Sequence, residues 1–384
     1  MRINKFALSA LLAITPLLQS PAALAFEALR DPAKLWEAKT EDVKRVTTAR
    51  VILADYELIR KDFPEIRNLS NQEIDQWLLR NTAFVSKEQA AQEVVNDKIH
   101  TDETSRMAYR PREYRRAHVF VADTGGLIDA KGTGAVDPSG GSHDNGLATL
   151  GDMIREYTYE KLIHALFVKD GRFDTVGSYA VIDYGFDIKH PDGGRSRAGT
   201  VLRQAHTRYH DGPMGIRTRG QSTMLPREHQ VEVETFLRQF GVTSSVKFNG
   251  LDLVNLQGAQ NGAVIDFGSF LTQEKFTNTV SFFYDKNGSA RPSSADVIMK
   301  PGETKFIQPT HDLQIPFKIW GYSQTGKADS KYDNPYIWAH ELAESLAKGH
   351  ASRQDAEQHV RNLFDTAEVQ NVFARIHPSC QALF

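Results

Sequence analysis

The stretch that most constrains this chain runs from Lys131 to Tyr157. Lys131-Gly132-Thr133-Gly134 follows the run Leu127-Ile128-Asp129-Ala130, which places the lysine at the end of a strand. Residues 132–146 are rich in Gly, Ser and Asp and read as a loop. After Gly151-Asp152, the residues Ile154, Tyr157, Leu162, Ala165 and Leu166 recur near one face, so the spacing predicts a helix carrying Arg155 and Glu156. Further on, Val264-Ile265-Asp266-Phe267-Gly268 is an apolar strand ending in an acid. Strand lysine, helix glutamate and strand-end acid are the minimal set for gripping a nucleoside triphosphate and its metal. Taken singly, a surface lysine and an ordinary helix acid explain Lys131 and Glu156 just as well, so the order of further motifs has to decide.

With 384 residues and 40% hydrophobic content, the chain can build one large core or two modest ones. Its net charge of -2 points away from nucleic acid or an anionic membrane as a bulk partner. Arg106, Arg110, Arg112, Arg115 and Arg116 form a local basic cluster, read here as a largely solvated patch. At the start, Arg2 and Lys5 precede an apolar run over residues 6–18, and Ala23-Leu24-Ala25 makes a small-residue cleavage site. Residues 1–25 therefore read as a removed secretory signal, leaving a mature start near Phe26, an exported (periplasmic or secreted) protein and no stable membrane insertion afterwards. The one cysteine, Cys380, excludes an internal disulfide, so packing must hold the fold.

In chain order, residues 26–100 read as a helical N-terminal extension, with Ile74, Trp77, Leu78 and Leu79 clustered toward one face. Ser86-Lys87-Glu88-Gln89 resembles a capping box opening a second helix through Val95. Residues 117–122 and 127–131 form a hairpin pattern around Gly125-Gly126. Residues 179–184 and 199–205 are strand-like, with Asp192-Gly193-Gly194 as a turn between them. Helices are expected over residues 228–240 with Gly241 as C-cap, from Asn334-Pro335 to Ala347 with a stop at Gly349, and over residues 354–373. The order suits an α+β, bilobal body: an N-lobe at residues 101–205, made of sheet plus the lysine-partner helix, and a mainly helical C-lobe at residues 206–384 carrying the Asp266 strand.

The motif order resembles the selenoprotein O family of kinase-like protein adenylyltransferases. The family's K-G-x-G stands here as Lys131-Gly132-Thr133-Gly134, and its D-G element is similar to Asn145-Gly146 with Ala148 and Leu150. Its I-R-E-Y helix is Ile154-Arg155-Glu156-Tyr157, and its paired arginines resemble Arg203 and Arg208 in Arg203-Gln204-Ala205-His206-Thr207-Arg208. Its N…D-Y-G-x-F element looks like Asn255…Asp266-Phe267-Gly268-Ser269-Phe270. The likeness covers residues 131–270 and implies a protein-kinase-like fold. It implies a nucleotide ion pair between Lys131 and Glu156, phosphate contacts from Gly132, Arg203, Arg208 and an upstream Arg116, and magnesium held by Asn255 and Asp266. It further implies ATP bound in reverse, so that AMP passes to a Ser, Thr or Tyr hydroxyl of a protein substrate. Where the family has an acid before the metal asparagine this chain has Val254, and the nearest acid, Asp252, becomes the candidate base. The Asn255–Asp266 gap is longer than the family's, the Arg203–Arg208 gap is shorter, and Leu147 replaces an arginine.

Two other classes stay open. A protein that keeps the scaffold for binding without catalysis fits Val254 and an address where ATP is expected to be scarce. A zincin-like metallohydrolase fits His340-Glu341-Leu342-Ala343-Glu344 with Gly349-His350, an H-E-x-x-H pattern whose second histidine has become Glu344.

Overall fold

The computed structural model describes residues 26–35, 38–91, 99–111, 116–134, 146–189, 195–208, 225–238, 242–243, 245–248, 251–254, 256–272, 275–276, 309–310, 320–322, 328–333 and 335–364. Its centre is one nine-stranded sheet. The strands are β1 (Lys39–Val46), β2 (Arg50–Ala54), β3 (Phe84–Ser86), β4 (Thr101–Arg110), β5 (Ala117–Val121), β6 (Leu127–Lys131), β7 (Ala148–Thr149), β8 (Ser178–Lys189) and β9 (Arg195–Gln204). They lie in the order β2-β8-β9-β6-β5-β4-β1-β3, with β7 on β9, and each pairing is antiparallel.

Strand alternation sorts the apolar residues between two cores. Ala180, Ile182 and Leu202 join Val51, Phe120, Ile128 and Ala130 on one face, beneath helices α1 (Tyr56–Asp62) and α2 (Asn71–Thr82). Val181 and Val201 face the other way, against the long helix α4 (Leu150–Asp170). On β2 the register shifts between Val51 and Leu53, so Ile52 and Leu53 both reach the α4 side. The same α4 core takes Val233, Phe236 and Leu237 of α5 (Arg227–Arg238), Ala339, Ala343 and Leu346 of α6 (Pro335–Ala347), and Ala356 and Val360 of α7 (Arg353–Phe364). The chain is therefore mixed, with helices packed about a large antiparallel sheet. No helix among the described residues is long and apolar enough to cross a membrane.

The expected hairpin is β5–β6, the expected strand over residues 179–184 falls within β8, and that over residues 199–205 coincides with β9 except for Ala205. The N-terminal region departs from the all-helical reading. α2 is there, with Ile74, Trp77 and Leu78 buried, as is the short α3 (Lys87–Ala91), whose Gln89 N–H donates to Ser86 Oγ at 3.2 Å. A reciprocal capping box also stands at Ser70 and Glu73 at the start of α2. β1, β2 and β3 also belong to the main sheet, so this region is part of the body and not an extension. In β1 only Val43 and Val46 are buried, three residues apart, because a register shift between Lys44 and Val46 interrupts the alternation. That spacing hides a strand from a period-two reading.

The arginine cluster is also corrected. Arg106 lies over the rings of Phe84 and Phe120 and donates to Asn81 O, and Arg110 pairs with Glu41 at 2.7 Å. Arg106 covers apolar surface and Arg110 is ion-paired, so these two are not a free basic patch. Arg112 and Arg115, the turn at Asp192-Gly193-Gly194, Gly241, Cys380, the signal at 1–25, Val95 and residues 365–373 lie outside the described residues.

α4 positions the site and is tied down along its length. Thr149 caps it, accepting from Asp152 N–H at 3.2 Å, and Gly171 ends it in the left-handed region at φ 75°. Glu160, buried one turn after Glu156, accepts from Thr175 Oγ1 at 2.8 Å and from Ser178 N–H at 3.1 Å. Lys161 reaches Asp55 at 2.6 Å, and Asp55 in turn caps α1 by accepting from Leu58 N–H at 2.9 Å. Burial alone would raise the Asp55 pKa, but Lys161 and the Leu58 amide outweigh it and hold the group below its ordinary value. A depressed carboxylate adds stability that is present above its unfolded pKa and lost as the pH falls through the folded one. Asp55→Asn should thus melt lower than the parent protein at neutral pH, and the gap should close below about pH 4. Thermal melts of both proteins across that range check this; a gap independent of pH would remove the ion pair from the account.

Candidate functional site

Sheet register sets the first half of the site. On β6, Asp129 and Lys131 are two residues apart and share a face; Asp129 stands opposite Arg203 of β9, and Lys131 stands opposite Val201. Gly132 follows with φ 99°, and a Cβ there would come within 2.8 Å of Gly199 O and 2.7 Å of Ala148 Cβ. Only glycine allows the chain to turn away from the sheet so close to β9 and β7. The Gly132 N–H donates to Arg116 O at 2.7 Å, which brings the residue before β5 to the same end of the sheet.

The second half comes from α4 and from the segment around Asp266. Glu156, on the sheet-facing side of α4, accepts from Lys131 Nζ at 2.6 Å and from Arg203 Nη1 at 3.1 Å. Asp266 follows the short strand Val264–Ile265 and has φ 59°, the one non-glycine positive φ among the described residues. Asp tolerates this conformation better than most side chains. Around it Val264 N–H donates to Asp174 O at 2.9 Å, and the rings of Phe267 and Phe270, 5.4 Å apart, are buried in the α4 core. The bend turns the carboxylate back toward β6 and β9.

There Asp266 meets three cations. Its Oδ1 accepts from Lys131 Nζ at 3.1 Å and Arg203 Nη1 at 3.0 Å, and its Oδ2 pairs with Arg208 Nη1 at 2.9 Å. Arg208 also donates to Gln257 Oε1 at 2.5 Å, from a backbone bridged to Ala259. Arg203 grips Asp129 through Nη2 at 2.8 Å and Nε at 3.1 Å. Arg116 lies close enough to feel the same acids: burial lowers its pKa, opposed by Asp152, Glu156 and Asp266. Among the residues expected to act together, Lys131, Gly132, Glu156, Arg203, Arg208, Arg116 and Asp266 are thus one cluster.

Asn255 lies outside the described residues. Asp252 lies on the strand Leu251–Val254, opposite Lys247, and its side chain is likewise outside them. On α6, Glu344 is exposed and pairs with Lys348 at 3.0 Å. Gly349 turns at φ 70°, leaving His350 exposed beyond the helix. The side chains of His340 and Glu341 are outside the described residues. No group of three or more potential metal ligands occurs among the described residues.

Two participants escaped the sequence reading. Asp129 is fully buried in the middle of Leu127-Ile128-Asp129-Ala130, and its place two residues before Lys131 on a strand was the available signal. His206 is buried with Nδ1 3.0 Å from Gln204 O and 3.7 Å from Asp129 Oδ2. Burial, reinforced by Arg203 and Arg208, pushes its pKa well below the usual histidine range, so it is a neutral ring.

The carboxylates are driven apart. Burial raises the Asp129 pKa despite Arg203 and Arg208. Burial would also raise that of Asp266, but Arg208, Lys131 and Arg203 overcome it and hold the group well below the carboxylate range. Chemically, this is a cationic cradle that already holds one ionised oxygen pair, with a second acid behind it that resists ionisation. No protein-family model matches the chain, and no curated protein matches it.

Buried ions stripped of a partner are costly, whereas replacing a pair by apolar groups can be nearly neutral. Arg203→Met should destabilise the protein by about 3–5 kcal/mol, and adding Asp129→Val should return at least about 1 kcal/mol. Urea unfolding of the two variants measures both; a double variant no better than the single one would show that Asp129 is not held mainly by Arg203.

Proposed function

We propose that the Lys131–Glu156–Asp266 cluster is an ATP site in a kinase-like bilobal body, and that the protein transfers AMP to protein hydroxyls as a divergent, exported relative of the selenoprotein O-type adenylyltransferases. The observation that carries this reading is Asp266, a strand-end acid bound by Lys131, Arg203 and Arg208, with Glu156 holding the same lysine. Three cations converging on one carboxylate are groups that also bind phosphate oxygens, and the pairing of strand lysine with helix glutamate is the arrangement that nucleotide transfer uses.

Formal charge says what else is needed. Lys131, Arg203, Arg208 and Arg116 carry at most two positive charges more than Glu156, Asp266 and the burial-raised Asp129 carry negative. A triphosphate therefore brings charge that these side chains do not neutralise, which calls for a divalent cation. Asp266, a hard oxygen donor at the mouth, fits magnesium, with Asn255 as its partner ligand. Bound there, magnesium would neutralise phosphate charge in the transition state. In this reading Asp266 and Asn255 would hold the metal, leaving Arg203, Arg208 and Arg116 as the groups that would contact the phosphates. Lys131 is oriented by Glu156 throughout. The hydroxyl oxygen of the protein substrate attacks the α-phosphorus, the bond from it to the bridging oxygen breaks, and pyrophosphate leaves. Asp252 is the acid assigned to take the hydroxyl proton.

The test uses ATP labelled at either end. Label from the α-position should move to Ser, Thr or Tyr of acceptor proteins, magnesium should be required, and Lys131→Ala and Asp266→Ala should each cut transfer at least roughly 100-fold. Transfer of γ-label would instead make the protein a phosphotransferase. ATP binding with no transfer would make it a binding protein on an inactive scaffold. Absence of binding would overturn the nucleotide reading altogether.

A further inference from the structure

Phe26 is held more firmly than an arbitrary point in a leader-to-body linker needs to be. Its ring is buried against Val176, Ala259, Ala263 and Ile265. Its peptide N–H donates to Asp174 Oδ2, and three residues on Leu29 N–H donates to Ala205 O at 2.7 Å. Asp174 is mostly buried, with its side chain 15% exposed. Its carboxylate also accepts from Thr175 N–H at 2.7 Å and lies 3.3 Å from His164 Nδ1.

The residue that receives Phe26 also supports the segment bearing Asp266. Asp174 O accepts from Val264 N–H at 2.9 Å, Val176 N–H donates to Val264 O at 3.0 Å, and Thr175 forms a parallel bridge with Val264. Ile265, against which the Phe26 ring packs, is the residue immediately before Asp266. The bond preceding Phe26 is the one that Ala23-Leu24-Ala25 marks for a signal-cleaving protease.

We propose that hydrolysis of the Ala25–Phe26 bond is an arming step: the freed Phe26 α-ammonium forms an ion pair with Asp174 and locks the strand pair that carries Asp266. In the cleavage, water gives its hydroxyl to the Ala25 carbonyl carbon and a proton to the Phe26 nitrogen. The resulting amine takes up one more proton from solvent. An N–H···O⁻ bond from a neutral peptide then becomes an ion pair between two opposite charges in the same partly buried place. The titratable groups facing the new terminus are Asp174 and, behind it, His164; the rest of the lining named above is apolar. The inference concerns the fold's own N-terminus and stands whether or not the cluster takes ATP.

Intact mass and N-terminal sequencing of the exported protein should give a start at Phe26. In that protein, NMR titration should place the α-amine pKa about one unit or more above the ordinary range of about 7.7–8.0. Because the folded pKa is raised, the added stability is complete below about pH 8 and is lost as the pH climbs through the folded value. A chain released from a cleavable fusion with Ala25 retained should melt roughly 3 °C or more lower at pH 7. Asp174→Asn should cost much more in the Phe26-start chain than in the Ala25-extended one. A different mature start, an unshifted amine, or equal Asp174→Asn losses in the two chains would each overturn the proposal. The amine titration needs no variant, so a poorly folding mutant does not leave the question open.

Discussion

The structure turns on one buried electrostatic knot. Arg203 is almost wholly enclosed, yet it binds Asp129, Glu156 and Asp266, carboxylates carried by a neighbouring strand, the long helix and a distant bend. Stripping water from such groups costs several kcal/mol per ion, and mutual attraction offsets this only when geometry is good and the charges match. An apolar core in the same space would be at least as stable. The sheet, α4 and the Val264–Ile265 strand therefore share a point of contact whose value is better explained by what charged groups can bind than by stability.

Each part of the knot follows from an ordinary structural rule. Strand alternation puts Asp129 and Lys131 on one face, and antiparallel register puts Arg203 opposite Asp129. The helical period puts Glu156 and Glu160 on successive turns, so one reaches the cations while the other fastens α4 to Thr175 and Ser178. Among the charged residues of the knot only Asp266 needs unusual backbone, and its left-handed bend is framed by the Val264 pairing on one side and by buried Phe267 and Phe270 on the other. Strain of this kind persists where the surroundings over-determine it.

Much of this was legible in the residues. Lys131 and Asp266 could be picked out at strand ends and Glu156 on a helix, whereas Arg203 and Arg208 were singled out only by the motif resemblance. Asp129 was not, because an acid inside Leu127-Ile128-Asp129-Ala130 reads as the polar face of an alternating strand, while the structure buries both faces. The β1 strand was invisible for a related reason: its charged sequence finds partners across the sheet, as Glu41 does with Arg110 and Arg45 with Asp102, and its bulge breaks the period. Local pattern records which residues are apolar. It does not record which charges will be matched by a strand far away in the chain.

That distinction bears on how the site can work. Since Asp266 already pairs with Lys131, Arg203 and Arg208, a phosphate bound as proposed would have to compete with that carboxylate and would not enter an empty basic pocket. Displacing that carboxylate without compensation would leave an ionised acid beside incoming negative charge, which is strongly disfavoured at these separations. In the proposed ATP reading, a divalent cation held by Asp266 would remove the conflict by supplying a new counter-charge. On that reading ligand and metal would bind as a coupled pair at the Asp266 bend. The backbone there is continuous with the strand paired to Asp174 and Val176, so whatever fixes that strand also fixes the Asp266 carboxylate.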